Sequence, residues 1–288
     1  MLGKRPPDCN KGDNGKGLLF AGSEGFYGAA VMSATACLRA GIGTLKVVCP
    51  GPTKQAFAVL PEAMVYGIGM DWDALDLPWA KLRLEEATCI GLGPGMGRRP
   101  GVGAALRLAL ATQKPMVVDA DGLNALSGFS EGERRALLHT GAVLTPHPGE
   151  MARLTGLSME EIKGDPAAVV RTYAKAWGCT VLLKGHRTAI AGPDEEFAWN
   201  QSGNAGLAKG GSGDVLTGMI LALLGQKLRP FAAACVGSYL LGASAEMAFG
   251  LLQERMLMAR DVIGAVEETL ESLWKPAPYD GTKQNEEN

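Results

Sequence analysis

The 288-residue sequence lacks several features that would assign it at once. It has no excess of basic residues: 28 Lys and Arg stand against 30 Asp and Glu, a net charge of −2 that offers no cationic face to nucleic acid. Its six cysteines (Cys9, Cys37, Cys49, Cys89, Cys179 and Cys235) form no C-x-x-C pair. They read as buried free thiols in a reducing compartment, not as disulfides or a metal site. The N-terminal stretch MLGKRPPDCNKGDNGKG is polar and lacks a secretory apolar core, so a soluble, cytoplasmic protein is expected. The run 231–252 has the length of a membrane span, yet Glu246 and its many Ala, Gly and Ser residues predict a close-packed buried helix. There is no G-x-x-x-x-G-K-[ST] P-loop, and no G-x-G-x-x-G opens the first helix. GLGPGMG (91–97) imitates a dinucleotide fingerprint, but Pro94 breaks the pattern.

Glycine, by contrast, is abundant: 40 of 288 residues, about twice the ordinary share of ~7%. No collagen-like period or Gly/Ser linker accounts for it, so the excess sits in loops where backbone approaches a ligand. Short apolar runs recur at 17–22, 44–50, 63–68, 87–93, 116–121, 142–148 and 180–185. Helical patterns lie between many of them, at 27–40, 101–112, 131–139 and 165–177. That alternation predicts an α/β fold with a mostly parallel sheet covered by helices on both faces. After 185 the texture predicts a hairpin turning at Gly192-Pro193-Asp194, then helices over about 213–225, 230–252 and 258–273. No repeat or linker divides the chain. One domain is expected over 1–275, with a polar, frayed tail from 276 to 288.

Five strand runs each end in a glycine-rich or polar cluster: GLLFAG in SEGFYGAA, CIGLG in PGMG, VVDAD in GLN, VLTPHP in GE, and VLLKG in HRT. Ligands of open α/β sheets bind at the carboxyl ends of strands, so the five clusters are expected to share one cleft. The most specific string is NAGLAKGGSGDVLTG (204–218). Gly210, Gly211, Ser212 and Gly213 read as an anion cradle at a helix N-terminus, where backbone N–H groups lack partners. Asp214, in the first turn, is placed to accept a proton from a hydroxyl attacking a phosphoryl group. Pro146 and Pro148 stiffen the loop that presents His147, whereas His139 reads as a helix surface residue. Glu150 suits the helix dipole whatever its other role. Lys184 ends a strand in a position that commonly faces phosphate. Asp119, Asp121 and Asn124 suit either metal-bridged phosphate or helix capping.

Taken in order, these motifs resemble the ADP/ATP-dependent NAD(P)H-hydrate dehydratases of the ribokinase-like superfamily, over about residues 15–270. The resemblance implies a repair reaction. NADHX and NADPHX, hydrated at C6 of the nicotinamide ring, are returned to NADH and NADPH by phosphoryl-driven dehydration, with ADP (or ATP) as co-substrate and Mg2+. It implies that Ala30 (or Ala29), Gly95, His147 and Asp214 contact the hydrate. Lys184, Gly185, His186, Arg187, Thr188, Gly211, Ser212 and Gly213 would contact the nucleotide, and the metal ligands are unknown. It further implies a homotetramer. A separate epimerase is expected, because the N-terminus is too short to include one. Lys209 and Ser212 depart from the residues common in relatives, and Lys209 has no reading from sequence. A ribokinase-like vitamin-precursor kinase would share the glycines and the acid, and a non-catalytic nucleotide sensor would share the scaffold.

Overall fold

The computed structural model describes residues 5–250 and 254–274, so the polar tail expected at 276–288 lies outside the described residues. Nine strands form one sheet: β1 (Lys16–Phe20), β2 (Thr44–Pro50), β3 (Met64–Ile68), β4 (Cys89–Leu92), β5 (Met116–Val118), β6 (Ala142–Leu144), β7 (Thr180–Leu183), β8 (Thr188–Ala191) and β9 (Phe197–Asn200). Their spatial order is β3-β2-β1-β4-β5-β6-β7-β8-β9. The first seven pair in parallel, and β8 and β9 add the expected antiparallel hairpin at one edge.

Side chains alternate across a strand, and here both faces are apolar. Leu19, Val117, Val143 and Leu182 enter one core. Leu18, Phe20, Met116, Val118, Ala142 and Leu144 enter the other. The first core is roofed by the helices Tyr27–Arg39, Ser212–Gly225 and Pro230–Phe249. Ser212–Gly225 is buried on every side from Val215 onward, which explains its unbroken apolar sequence. Gly218 lets it approach Tyr27–Arg39, because a Cβ there would overlap the Ser33 carbonyl and lie 2.9 Å from the Ala36 Cβ. Gly218→Val is expected to destabilise the fold by about 2–3 kcal/mol through overpacking, read as a lower urea midpoint at unchanged m.

Residues 231–249 of the apolar run lie in the helix Pro230–Phe249, long and apolar enough to cross a membrane by length and composition. It packs into the fold instead, with Ala233, Gly237, Leu240, Ser244 and Ala245 buried. Its single acid, Glu246, accepts from the Gly203 amide at 2.6 Å. The four cysteines Cys37, Cys49, Cys89 and Cys179 are buried, and all six are free thiols.

Three details depart from the sequence reading. The expected helix 258–273 is broken into Ala259–Gly264 and Val266–Trp274, at a glycine that weakens helix continuity. Leu77–Glu86 is a helix the periodicity does not show; Asp76 caps it by accepting from the Trp79 amide at 2.9 Å. His139 is not a helix surface residue but lies half-buried in the turn before β6, where its Nδ1 accepts from the Gly141 amide.

Candidate active site

Strands β1, β4, β5, β6 and β7 are consecutive neighbours in the sheet and run the same way. Their five carboxyl ends, and the clusters that follow them, therefore form one continuous edge. The chain passes from β1 to β2 and β3 on one side, then returns to place β4 on the other. That reversal opens a crevice between β1 and β4, the usual seat of a ligand in such sheets. Around it the loops are tied together. The Gly22 amide donates to Pro94 O at 2.8 Å, Trp72 Nε1 donates to Gly22 O at 2.8 Å, and Ser23 Oγ donates to Gly95 O at 2.8 Å.

Next along the edge, β5 stops at Val118 and a helix, Ala120–Ser127, starts almost at once. Ala120 holds a left-handed backbone (φ 47°) to make that turn, a local strain of the kind that concentrates at functional sites. Asp119 is 1% exposed. Its Oδ1 accepts from Lys184 Nζ at 2.7 Å and its Oδ2 from Thr217 Oγ1 at 2.9 Å. Gly93 accommodates this segment, since a Cβ there would overlap the Asp119 carbonyl. Asp121 accepts from the Gly97 amide at 2.7 Å and from Asn124 Nδ2 at 3.1 Å, locking GLGPGMG to VVDADGLN.

Lys184 leaves the end of β7 and reaches two carboxylates, with Glu150 Oε2 at 3.8 Å as well as Asp119. Burial works against its ammonium, but the negative charges of Asp119, Glu150 and Asp214 outweigh it and hold its pKa above the ordinary lysine value. Glu150 is buried, and that burial raises its pKa against the pull of Lys184. It also accepts from the His147 amide at 2.8 Å. His147 caps the helix Pro148–Thr155: its Nδ1 accepts from the amides of Gly149 (3.0 Å) and Glu150 (3.3 Å). The ring proton therefore sits on Nε2. Burial first, then the Lys184 charge, lowers the His147 pKa, so a neutral imidazole presents an N–H donor at pH 7.

The helix Ser212–Gly225 begins at this cluster, after Gly211 in the left-handed region (φ 100°). A Cβ on Gly211 would lie 2.7 Å from Met32 Sδ, so only glycine suits both the turn and the contact. Among the described residues no acceptor meets the amides of Gly213 and Asp214. They point a helix N-terminus at whatever anion enters. A Cβ at Gly213 would stand 3.4 Å from both Lys184 Nζ and Asp119 Oδ2, which places the ion pair against this turn. Asp214 is partly buried. That burial, then the charge of Asp119, pushes its carboxyl up to about 7 against the opposing pull of Lys184. A carboxyl titrating near 7 is poised to take a proton at neutral pH.

The structure thus brings Gly95, His147, Lys184, Gly211, Ser212, Gly213 and Asp214 to one edge. Gly185, His186 and Arg187 form the exposed loop between β7 and β8, and Thr188 donates to Gly185 O at 3.4 Å. Ala30 has a fully buried side chain facing Gly22, whereas Ala29 is partly exposed and lies where a Gly95 Cβ would be 3.0 Å away. Ala29 is the accessible member of that pair. Lys209 gains a role: its Nζ donates to Arg255 O at 3.0 Å and ties the glycine turn to the segment before Ala259. Thr217 was not visible as a site residue. The only local hint is a hydroxyl one turn beyond Gly213 in an otherwise apolar helix.

The sequence profile of the NAD(P)H-hydrate dehydratase family matches residues 18–263. The chain belongs to that family. It is 41% identical over 246 residues to the ADP-dependent (S)-NAD(P)H-hydrate dehydratase of Neisseria meningitidis serogroup B, covering 84% of this chain and 80% of that protein. It is 40% identical over 285 residues to the bifunctional NAD(P)H-hydrate repair enzyme Nnr of Moorella thermoacetica, covering 95% of this chain and 52% of the relative. The chain therefore spans about half the length of that relative. The ADP/ATP-dependent NAD(P)H-hydrate dehydratase of Bacillus subtilis, co-crystallised with ATP/Mg2+, matches with a TM-score of 0.81 at 30% identity, covering 94% of each chain. The mostly parallel α/β sheet read from the strand pattern and the ribokinase-like architecture implied by the resemblance both hold. A ribokinase-like superfamily protein of Enterococcus faecalis V583 matches with a TM-score of 0.80 at 28% identity, covering 95% of this chain and 92% of that one.

Proposed function

We propose that the chain dehydrates the S-form of NADHX and NADPHX to NADH and NADPH, using ADP (or ATP) as phosphoryl donor. One observation carries the reading: Asp214 sits in the first turn of a helix where, among the described residues, the amides of Gly213 and Asp214 meet no acceptor, beside the Lys184 ammonium. Hydroxide is a poor leaving group, so the C6 hydroxyl is first phosphorylated. Asp214 takes the hydroxyl proton as the oxygen bonds to phosphorus, and the donor nucleotide leaves (AMP, when ADP is used). The amides of Gly213 and Asp214 and the Lys184 ammonium stabilise charge on the transferring group. The C6–O bond then breaks with its electron pair going to phosphate, pushed by the ring nitrogen. Loss of the C5 proton completes the dihydronicotinamide.

The hydrate would lie across the crevice between Gly95, Ala29 and His147 Nε2, and the nucleotide along Lys184 to Thr188. Among the described residues no group of three or more His, Cys, Asp or Glu is placed to hold a metal. Magnesium, brought in with the nucleotide, would supply charge neutralisation on the transferring phosphate. An epimerase acting on the other C6 form is the proposed functional partner.

Incubation with NADHX and either ADP or ATP tests the reading. Return of absorbance at the reduced-nicotinamide band, with release of free phosphate, is the expected result. No recovery with either donor, together with stable phosphorylation of a small alcohol, would instead establish a kinase.

A further inference from the structure

Beside the catalytic edge lies a cavity of about 450 Å³ that none of the steps above uses. It opens from Gly97, Asp121 and Asn124, residues already locked to the crevice, and runs along the helix Pro100–Leu110 to Phe129. Four arginines line it: Arg98, Arg99, Arg107 and Arg153. Two of them are matched. Arg99 pairs with Asp71 (3.4 Å) and Asp73 (3.8 Å), and Arg107 pairs with Glu133 (3.2 Å). The other two are not: among the described residues neither Arg98 nor Arg153 has a carboxylate within ion-pair distance. Arg153 is held in place by its Nε, which donates to Asn124 Oδ1 at 3.0 Å and leaves the terminal nitrogens of the fork uncommitted. It stands one helical turn from Gly149 and contributes to the lowered His147 pKa, so it bridges the hydrate side of the site and the cavity. Farther in, the Arg107 guanidinium lies 3.9 Å from the Phe129 ring centroid and gives the cavity a flat, stacked wall.

We infer that this cavity seats a phosphate group of the dinucleotide substrate, held by Arg98 and Arg153, with the adenine end lying toward the Arg107–Phe129 stack. The inference rests on the proposed dehydratase reading for the orientation of the substrate. The chemistry is that of planar, permanently charged forks matched to phosphate oxygens, with a planar surface on which a base can lie. The only carboxylate in the lining, Asp121, is already occupied by the Gly97 amide and Asn124, so it does not satisfy the arginines. Two phosphates of the substrate share this chemistry: the diphosphate bridge, common to NADHX and NADPHX, and the 2′-phosphate, present only in NADPHX.

Calorimetric titration of NADP+ and NAD+ into wild type, Arg98→Gln and Arg153→Gln tests the assignment, with kcat and KM for NADPHX and NADHX measured beside it. Each substitution is expected to weaken dinucleotide binding about tenfold or more, the scale of one charge-assisted hydrogen bond, and to raise KM far more than it lowers kcat. Both arginines are exposed, so melting temperatures should stay near wild type. Weakening confined to NADP+ and NADPHX identifies the 2′-phosphate; equal weakening for both dinucleotides identifies the diphosphate. Unchanged binding of both in both variants overturns the assignment. Arginine-dependent binding in a wild type that turns over no hydrate would keep the cavity and discard the reaction. Turnover by all three proteins with unaltered KM would do the reverse.

Discussion

Asp214→Asn is expected to slow hydrate repair by about 10²- to 10⁴-fold, the span of a lost general base, while adenine nucleotide binding stays near wild type. Asn keeps the size and the helix-start position of Asp but cannot accept the hydroxyl proton. A second readout separates loss of the base from loss of structure. In wild type, kcat/KM should rise with pH and level off above about 7, where the Asp214 carboxyl loses its proton. That limb should vanish in Asp214→Asn. Stability should move the opposite way. The folded carboxyl titrates near 7 and an ordinary one near 3.8, so between those values the folded state holds a proton the unfolded state has released. Its contribution to stability is therefore full below 3.8 and is lost as pH rises through 7. Asp214→Asn should melt above wild type at pH 8, with the difference shrinking toward pH 4. A variant repairing hydrate at the wild-type rate would remove Asp214 from the chemistry.

Lys184→Met should do more damage to the fold than any other single change in the cluster. The methionine has nearly the same length but leaves Asp119, which is 1% exposed, and buried Glu150 without a cation. Breaking a buried pair from one side costs about 3–5 kcal/mol. The Lys184 side chain retains 22% exposure and Thr217 still donates to Asp119, so about 3 kcal/mol is expected, read from urea unfolding at pH 7. Because Lys184 pulls the Asp214 pKa down, its removal should also shift the activity limb to higher pH. Asp119→Asn in the Lys184→Met background should restore part of the lost stability by removing the unpaired charge. If the single variant unfolds at the wild-type urea midpoint, the ion pair is solvated and the cluster is not the buried unit described above.

Much of this site was legible in the chain because its signals are local. A helix start shows in GGSGD since glycine, a small polar residue and an acid act within one turn, and their chemistry does not depend on distant partners. Parallel strands show as apolar runs because helices cover both faces. The same logic failed where local and distant preferences part. MVVDAD reads as strand through Asp121, but β5 ends at Val118 because a left-handed Ala120 turns the chain into a helix.

The sequence by itself determined the layered α/β fold, the shared strand edge, and Asp214 at a glycine-led helix N-terminus. Periodicity, helix-end electrostatics and glycine's backbone freedom each act over a few residues. Only the tertiary structure decided which charges meet. Lys184 finds Asp119 across 65 residues and Thr217 finds it across 98, separations at which no spacing rule operates. It also decided that Ala29 rather than Ala30 keeps a partly exposed side chain beside Gly95, and that Lys209 serves the Arg255 carbonyl. Among the described residues, two arginines of the neighbouring cavity were likewise left without carboxylates by the fold alone. The value of each such group is set by burial and by the sign of its neighbours, and those arise only when distant segments pack together.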